Sequence, residues 1–177
     1  EGVSQGHSEA VRKIKGVKYA VQYTIPLEEA MEKVRSGNNP QLTSREKHKR
    51  VCYVVPLDFN DTNRIEEEIK TMPDYFAEYD TTVHFITEEE FLKNHSKMPH
   101  GGFVISTDIN ENNHKQRIEF NLSLENIPEF TAAVLVAFAR GVYRMSLEGK
   151  KGAFSIFDIP LSYISPKSNE ELRKELL

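Results

Sequence analysis

Residues 117–124 read RIEFNLSL, so Ile118, Phe120, Leu122 and Leu124 alternate with Arg117, Glu119, Asn121 and Ser123. All eight positions fit the two-residue period of a strand with one apolar and one polar face. On a helix the same residues would scatter around the circumference. FVISTD at 103–108 is a second strand, and INENN lies between the two. The pattern therefore predicts a β-hairpin with its apolar face buried, and it excludes an all-helical fold.

The remaining elements arrange themselves around that hairpin. Residues 8–15 read as a short helix, with Ser8 as N-cap and Gly16 as stop. A strand follows at 19–25. Pro26 then opens a helix that Gly37 ends. Residues 38–50 form a polar connection holding a helical turn. Strands are expected at 50–55 and 81–86, and a helix at 61–72 capped by Asp61 or Thr62. Thr87 and Glu90 make a capping-box pattern, as does the start of the helix at 168–177. Residues 128–150 form a long helix, apolar almost all round in its first half, which predicts deep packing. A last strand is expected at 153–159. The mixture predicts an α+β fold: a mixed, largely antiparallel sheet with helices mainly on one face, in one domain over 1–177.

Charge and composition narrow the function classes. The net charge of −4 argues against general nucleic-acid binding. The basic cluster REKHKR at 45–50 is interrupted by Glu46 and reads better as a solvated surface. One cysteine, Cys52, leaves no intrachain disulfide or cysteine-based zinc site, and a reduced, cytoplasmic setting is expected. The longest apolar run, 132–139, is short of the ~20 residues a membrane span needs. The six histidines make no metal-ligand spacing, and the nine glycines make neither G-x-G-x-x-G nor a P-loop. Glu1 in place of a methionine leads us to expect a processed chain or part of a longer protein.

Four places offer hydrogen-bond donors at the ends of elements. Arg50 stands where a strand begins, either as a surface arginine or as a fork for a carboxylate. Thr24 sits at a strand-to-helix corner, facing a ligand or capping the helix. His100, in MPHGG, is either a ligand contact or a turn residue bonded to backbone. Gln5 and Gly6, with His7, lead into a helix whose free N–H groups suit an anion. Together they point to a site for a small anionic or zwitterionic molecule.

VSQGHSEAVRKIKGVKYAVQYTIP, TMPDYFAEYDTTVHF, KMPHGG, NIPEFTAAVLVAFARGVYRM and YISPKSNEEL, in that order, resemble the C-terminal part of the meso-diaminopimelate D-dehydrogenase family. The resemblance runs from about Gly2 to Leu177. It implies an NADP-dependent enzyme that deaminates the D-centre of meso-2,6-diaminopimelate oxidatively to L-2-amino-6-oxopimelate and ammonia, the reverse serving lysine biosynthesis. It implies a homodimer, and a Rossmann-like NADP domain that is absent from this chain, so the fragment alone is expected to be inactive. By the same resemblance Gln5 and Gly6 lie near the substrate backbone, while Thr24, Arg50 and His100 hold the distal L-amino-acid end. Ile127 stands where the family has a substrate-touching asparagine; either Asn126 substitutes or that contact is lost. Lys97 replaces a usually small residue. Two other readings stay open, a non-catalytic amino-acid-binding module and a pure dimerisation module.

Overall fold

The computed structural model describes residues 2–37 and 40–177. Residues 38–39, which begin the expected polar connection, lie outside the described residues. The chain divides into two compact units, Glu1–Asn126 and Ile127–Leu177.

The first unit is built on a four-stranded sheet of order β1 (Gly2–Val3), β2 (Val17–Pro26), β3 (His48–Pro56), β4 (Thr81–Phe85). The first two pairings are antiparallel and β3–β4 is parallel. This is the mixed, largely antiparallel α+β arrangement expected. A parallel pair needs a crossover, and α4 (Thr62–Lys70) supplies it. Strand alternation sorts the side chains of β2 between two cores. Ala20, with Cys52 and Val54 of β3, faces Val11 and Ile14 on one side and Ile65 and Ile69 of α4 on the other flank of the same core. Val21 and Tyr23 face the opposite way, toward Val55, Ile86 and Phe91. Thus α1 (Gln5–Arg12) and α4 cover one face, and α5 (Glu88–Asn94) the other. Ile65 and Ile69 are fully buried one helical turn apart, each stabilising the fold by about 1.5–3 kcal/mol.

The helix stops fall where the glycines put them: Gly16 and Gly37 adopt φ of +92° and +85°, the left-handed region that ends a helix. The Thr87 cap accepts from Glu90 N, and Ser168 and Glu171 form a full capping box. Three helix starts are capped differently from the sequence reading. Helix α1 begins at Gln5 rather than Ser8, so Gln5, Gly6 and His7 form its first turn instead of its lead-in. The Ser8 hydroxyl donates to Ser4 O and accepts from Gln22 N, tying the helix to β2 instead of capping it. Pro26 closes β2, and α2 (Glu28–Arg35) begins two residues later, after Leu27. Asp61 ends a 3-10 turn, Phe59–Asp61, and makes no side-chain cap to α4. The expected helical turn in the polar connection is α3 (Ser44–Lys47).

Strands β5 (His100–Ile109) and β6 (Lys115–Leu124) form the expected hairpin. Its burial is the reverse of the expectation. The face carrying Thr107 and Glu119 packs on α2: Thr107 donates to Val34 O, and Arg35 pairs with Glu119. The apolar face, with Val104 opposite Phe120, stays exposed, at 66% and 67%.

The second unit holds α6 (Ile127–Leu147), α7 (Leu161–Ile164) and α8 (Asn169–Leu176). Deep packing of α6 is not found: Leu135, Val136 and Tyr143 are exposed, and only Gly141 and Met145 are buried. At 21 residues α6 is long and apolar enough to cross a membrane by length and composition, which the shorter run at 132–139 did not reveal. Arg140 donates to Ile164 O and Arg144 to Ser162 O and Tyr163 O, so two of its charges are spent on protein backbone. The expected strand at 153–159 is instead a 3-10 turn, Ile156–Asp158. Ser155 donates through its N–H and its hydroxyl to the Asp158 carboxylate, and this local closure replaces extended pairing.

Candidate functional site

Strand register brings three of the singled-out residues into one row. Thr24 on β2 lies opposite Arg50 on β3 and, on its other side, opposite Gly2 on β1. His100, the first residue of β5, packs against Gly2. Arg50 is a buried residue rather than a surface arginine, only 6% exposed. Its Nη1 donates to Thr24 Oγ1 at 2.6 Å. Its Nε is buried without a partner, and no ion pair to a carboxylate forms among the described residues.

Gln22 lies two residues before Thr24 on the same face of β2, and its Nε2 also donates to Thr24 Oγ1, at 3.3 Å. A hydroxyl oxygen accepting twice keeps one proton to give. Thr24 therefore offers a donor, not a helix cap. His100 Nδ1 is 3.2 Å from Val3 O; a carbonyl only accepts, so Nδ1 carries the proton and Nε2 is left for another partner. Gln5 reaches from α1 to Met98 Sδ, beside the same 98–100 segment. A Cβ built at Gly6 would meet no atom within 4 Å. Asn126 closes the first unit and Ile127 opens α6 in the second.

His48 and Tyr79 join the cluster without having been singled out, and so does His7, which the sequence named only beside Gln5 and Gly6 as a helix lead-in. The His7 ring meets Tyr75 and Phe76 edge-on, and its Nδ1 bonds Ser4 Oγ at 2.6 Å. Burial, then the nearby charges of Arg50 and His48, lower its pKa from 6.5 to about 4, so it is a neutral imidazole at physiological pH. His48 is lowered too, by burial first and Arg50 second. Burial pushes the Cys52 thiol up to about 12, which removes it as a nucleophile. Alternation did signal Gln22 and His48, since each shares a strand face with Thr24 or Arg50. The result is a cluster of donors and aromatic rings around one positive charge that no carboxylate pairs with among the described residues. It is suited to a carboxylate and carries no general acid–base pair of its own. Among the described residues no group of three His, Cys, Asp or Glu is placed to hold a metal.

A family profile described as the C-terminal domain of diaminopimelic acid dehydrogenase matches residues 1–126, the same span as the first unit. The chain belongs to this family. A diaminopimelate dehydrogenase relative from Ureibacillus thermosphaericus, named meso-diaminopimelate D-dehydrogenase, is 62% identical over the whole chain, which covers 54% of that relative. The chain thus spans about half the length of the curated relatives it matches. Among solved structures, the DAP dehydrogenase of Corynebacterium glutamicum in complex with DAP is 44% identical with a TM-score of 0.91, covering 99% of this chain and 54% of that one. An engineered D-amino acid dehydrogenase bound to NADP+ is 41% identical with a TM-score of 0.85, covering 99% and 55%.

Proposed function

We propose that this chain is the substrate-binding and dimerisation part of an NADP-dependent meso-diaminopimelate D-dehydrogenase. The observation that carries the reading is Arg50, buried beside Thr24 with no carboxylate paired to it among the described residues. Burying a lone charge is unfavourable unless a counter-charge arrives, and the distal carboxylate of diaminopimelate is one. Arg50 receives that carboxylate, the free proton of Thr24 adds a hydrogen bond, and His100 Nε2 binds the same L-amino-acid end. Gln5 and Gly6 sit along the substrate backbone. Holding the distal end fixes the D-centre, and that positioning lowers the entropic part of the barrier. NADP supplies hydride transfer when bound; the residues described here do not fit it, so its site belongs to another part of the parent protein. The Ile127 side chain presents no donor, and Asn126 is the candidate to replace one.

A homodimer in the cytoplasm belongs to the same reading. Val104, Ile118 and Phe120 form an apolar face that a second copy would cover, at about 1.5–3 kcal/mol for each large side chain buried. A pure dimerisation module would need the apolar face but not the uncompensated Arg50. Calorimetric titration of the chain with meso-diaminopimelate separates the two. Saturable heat that Arg50→Met abolishes supports the substrate site; equal heats for both proteins reject it.

A further inference from the structure

Among the described residues no carboxylate pairs with Arg50, but an aromatic ring lies against its guanidinium. Its Cζ lies 4.2 Å from the centroid of the Tyr79 ring. A guanidinium over an aromatic face is attracted by the ring quadrupole, more strongly when water is excluded. Two acids flank Tyr79 in sequence: Glu78 is exposed, and Asp80 is engaged elsewhere, since Arg45 Nη1 lies 2.6 Å from its carboxylate and Arg45 Nη2 donates to Ala77 O. The Asp80 carbonyl accepts from Arg50 N at 2.9 Å, which pins the 77–80 segment to the start of β3. Tyr79 N donates to Phe76 O, and the His48 ring stacks on Tyr79 at 5.1 Å and 23°. The ring is therefore fixed on its own loop before any ligand arrives.

We propose that Tyr79 is the positioning residue of the carboxylate site: its ring face carries the Arg50 charge, so the N–H edge of Arg50 is left for substrate instead of for a protein carboxylate. The inference rests on the assignment of Arg50 to the distal carboxylate. A protein anion at the same place would have to be displaced by each incoming substrate. A π-face stabilises the cation without occupying its donors.

The test uses the full-length dehydrogenase and reads KM and kcat for meso-diaminopimelate. Tyr79→Leu is expected to raise KM about tenfold with kcat within about twofold, the pattern of lost uniform binding. Tyr79→Phe keeps the ring face and is expected to stay within about twofold of the parent in both constants. Phenylalanine fluorinated at every ring position keeps the shape but reverses the quadrupole; it is expected to raise KM as Leu does, and it decides the matter if Leu fails to fold. A fluorinated ring that behaves like Phe, or Tyr79→Phe as impaired as Tyr79→Leu, overturns the proposal. So does an unchanged KM for Tyr79→Leu while Arg50→Met raises it. If Arg50→Met itself leaves KM unchanged, the assignment of the distal carboxylate falls, and this inference with it.

Discussion

A Cβ on Gly2 would lie 2.7 Å from Nδ1 of His100. No real Cβ sits that close, so any side chain at Gly2 moves the imidazole, and the same Nδ1 donates to Val3 O. Gly2→Ala is expected to break that hydrogen bond, costing about 1 kcal/mol of stability. It should also swing Nε2 out of the row with Thr24 and Arg50. Steady-state kinetics of the full-length enzyme should show a raised KM for meso-diaminopimelate with a small drop in melting temperature. Unaltered KM would mean that His100 orientation does not matter to binding.

His7 makes the fold sensitive to acid. In the folded chain its pKa is about 4, against 6.5 when unfolded. Between those values the unfolded chain binds a proton that the folded chain refuses, so stability falls as pH drops through this window and is unaffected above it. His48, lowered in the same direction, adds to the slope. Because both rings are partly exposed, water screens the effect and its size is less than the full shift implies. Chemical denaturation between pH 7 and pH 4 should show this loss. His7→Gln should flatten the profile, and an unchanged slope would contradict the account.

The hairpin face gives a separate expectation. Phe120, 67% exposed, and Val104 opposite it lie on the surface that a second copy would cover. Phe120→Glu places a charge there without disturbing a side chain buried in this chain. Light scattering should report a dimer for the parent and a monomer for the variant, with circular dichroism unchanged. A dimeric Phe120→Glu protein would place the interface elsewhere.

Much of the local structure was legible because it is decided locally. Gly16 and Gly37 end helices through their own backbone, and Thr87 and Ser168 cap through neighbours three residues on. The start of α1 was not legible in that way. Ser4 and Ser8 are equivalent as caps in sequence, and what separates them is Gln22, whose N–H binds the Ser8 hydroxyl from another strand. The alternation over 117–124 marked an apolar face correctly, but periodicity states only that a face needs cover, not that this chain supplies it. The site divides likewise. Arg50, Thr24 and His100 stand at element ends, where a sequence reading looks for them. Tyr79 reaches Arg50 only through the turn before β4, and no spacing encodes that approach.

The central claim is that Arg50 recognises the distal carboxylate, and two substrates test it most directly. The full-length enzyme and its Arg50→Met variant are compared on meso-diaminopimelate and on a D-amino acid of similar length with an apolar far end. On diaminopimelate the substitution is expected to cost about 2–5 kcal/mol in kcat/KM, because it leaves a carboxylate unpaired in a buried place. On the apolar analogue it should cost nothing. An equal loss on both substrates, or no loss on either, would contradict the claim.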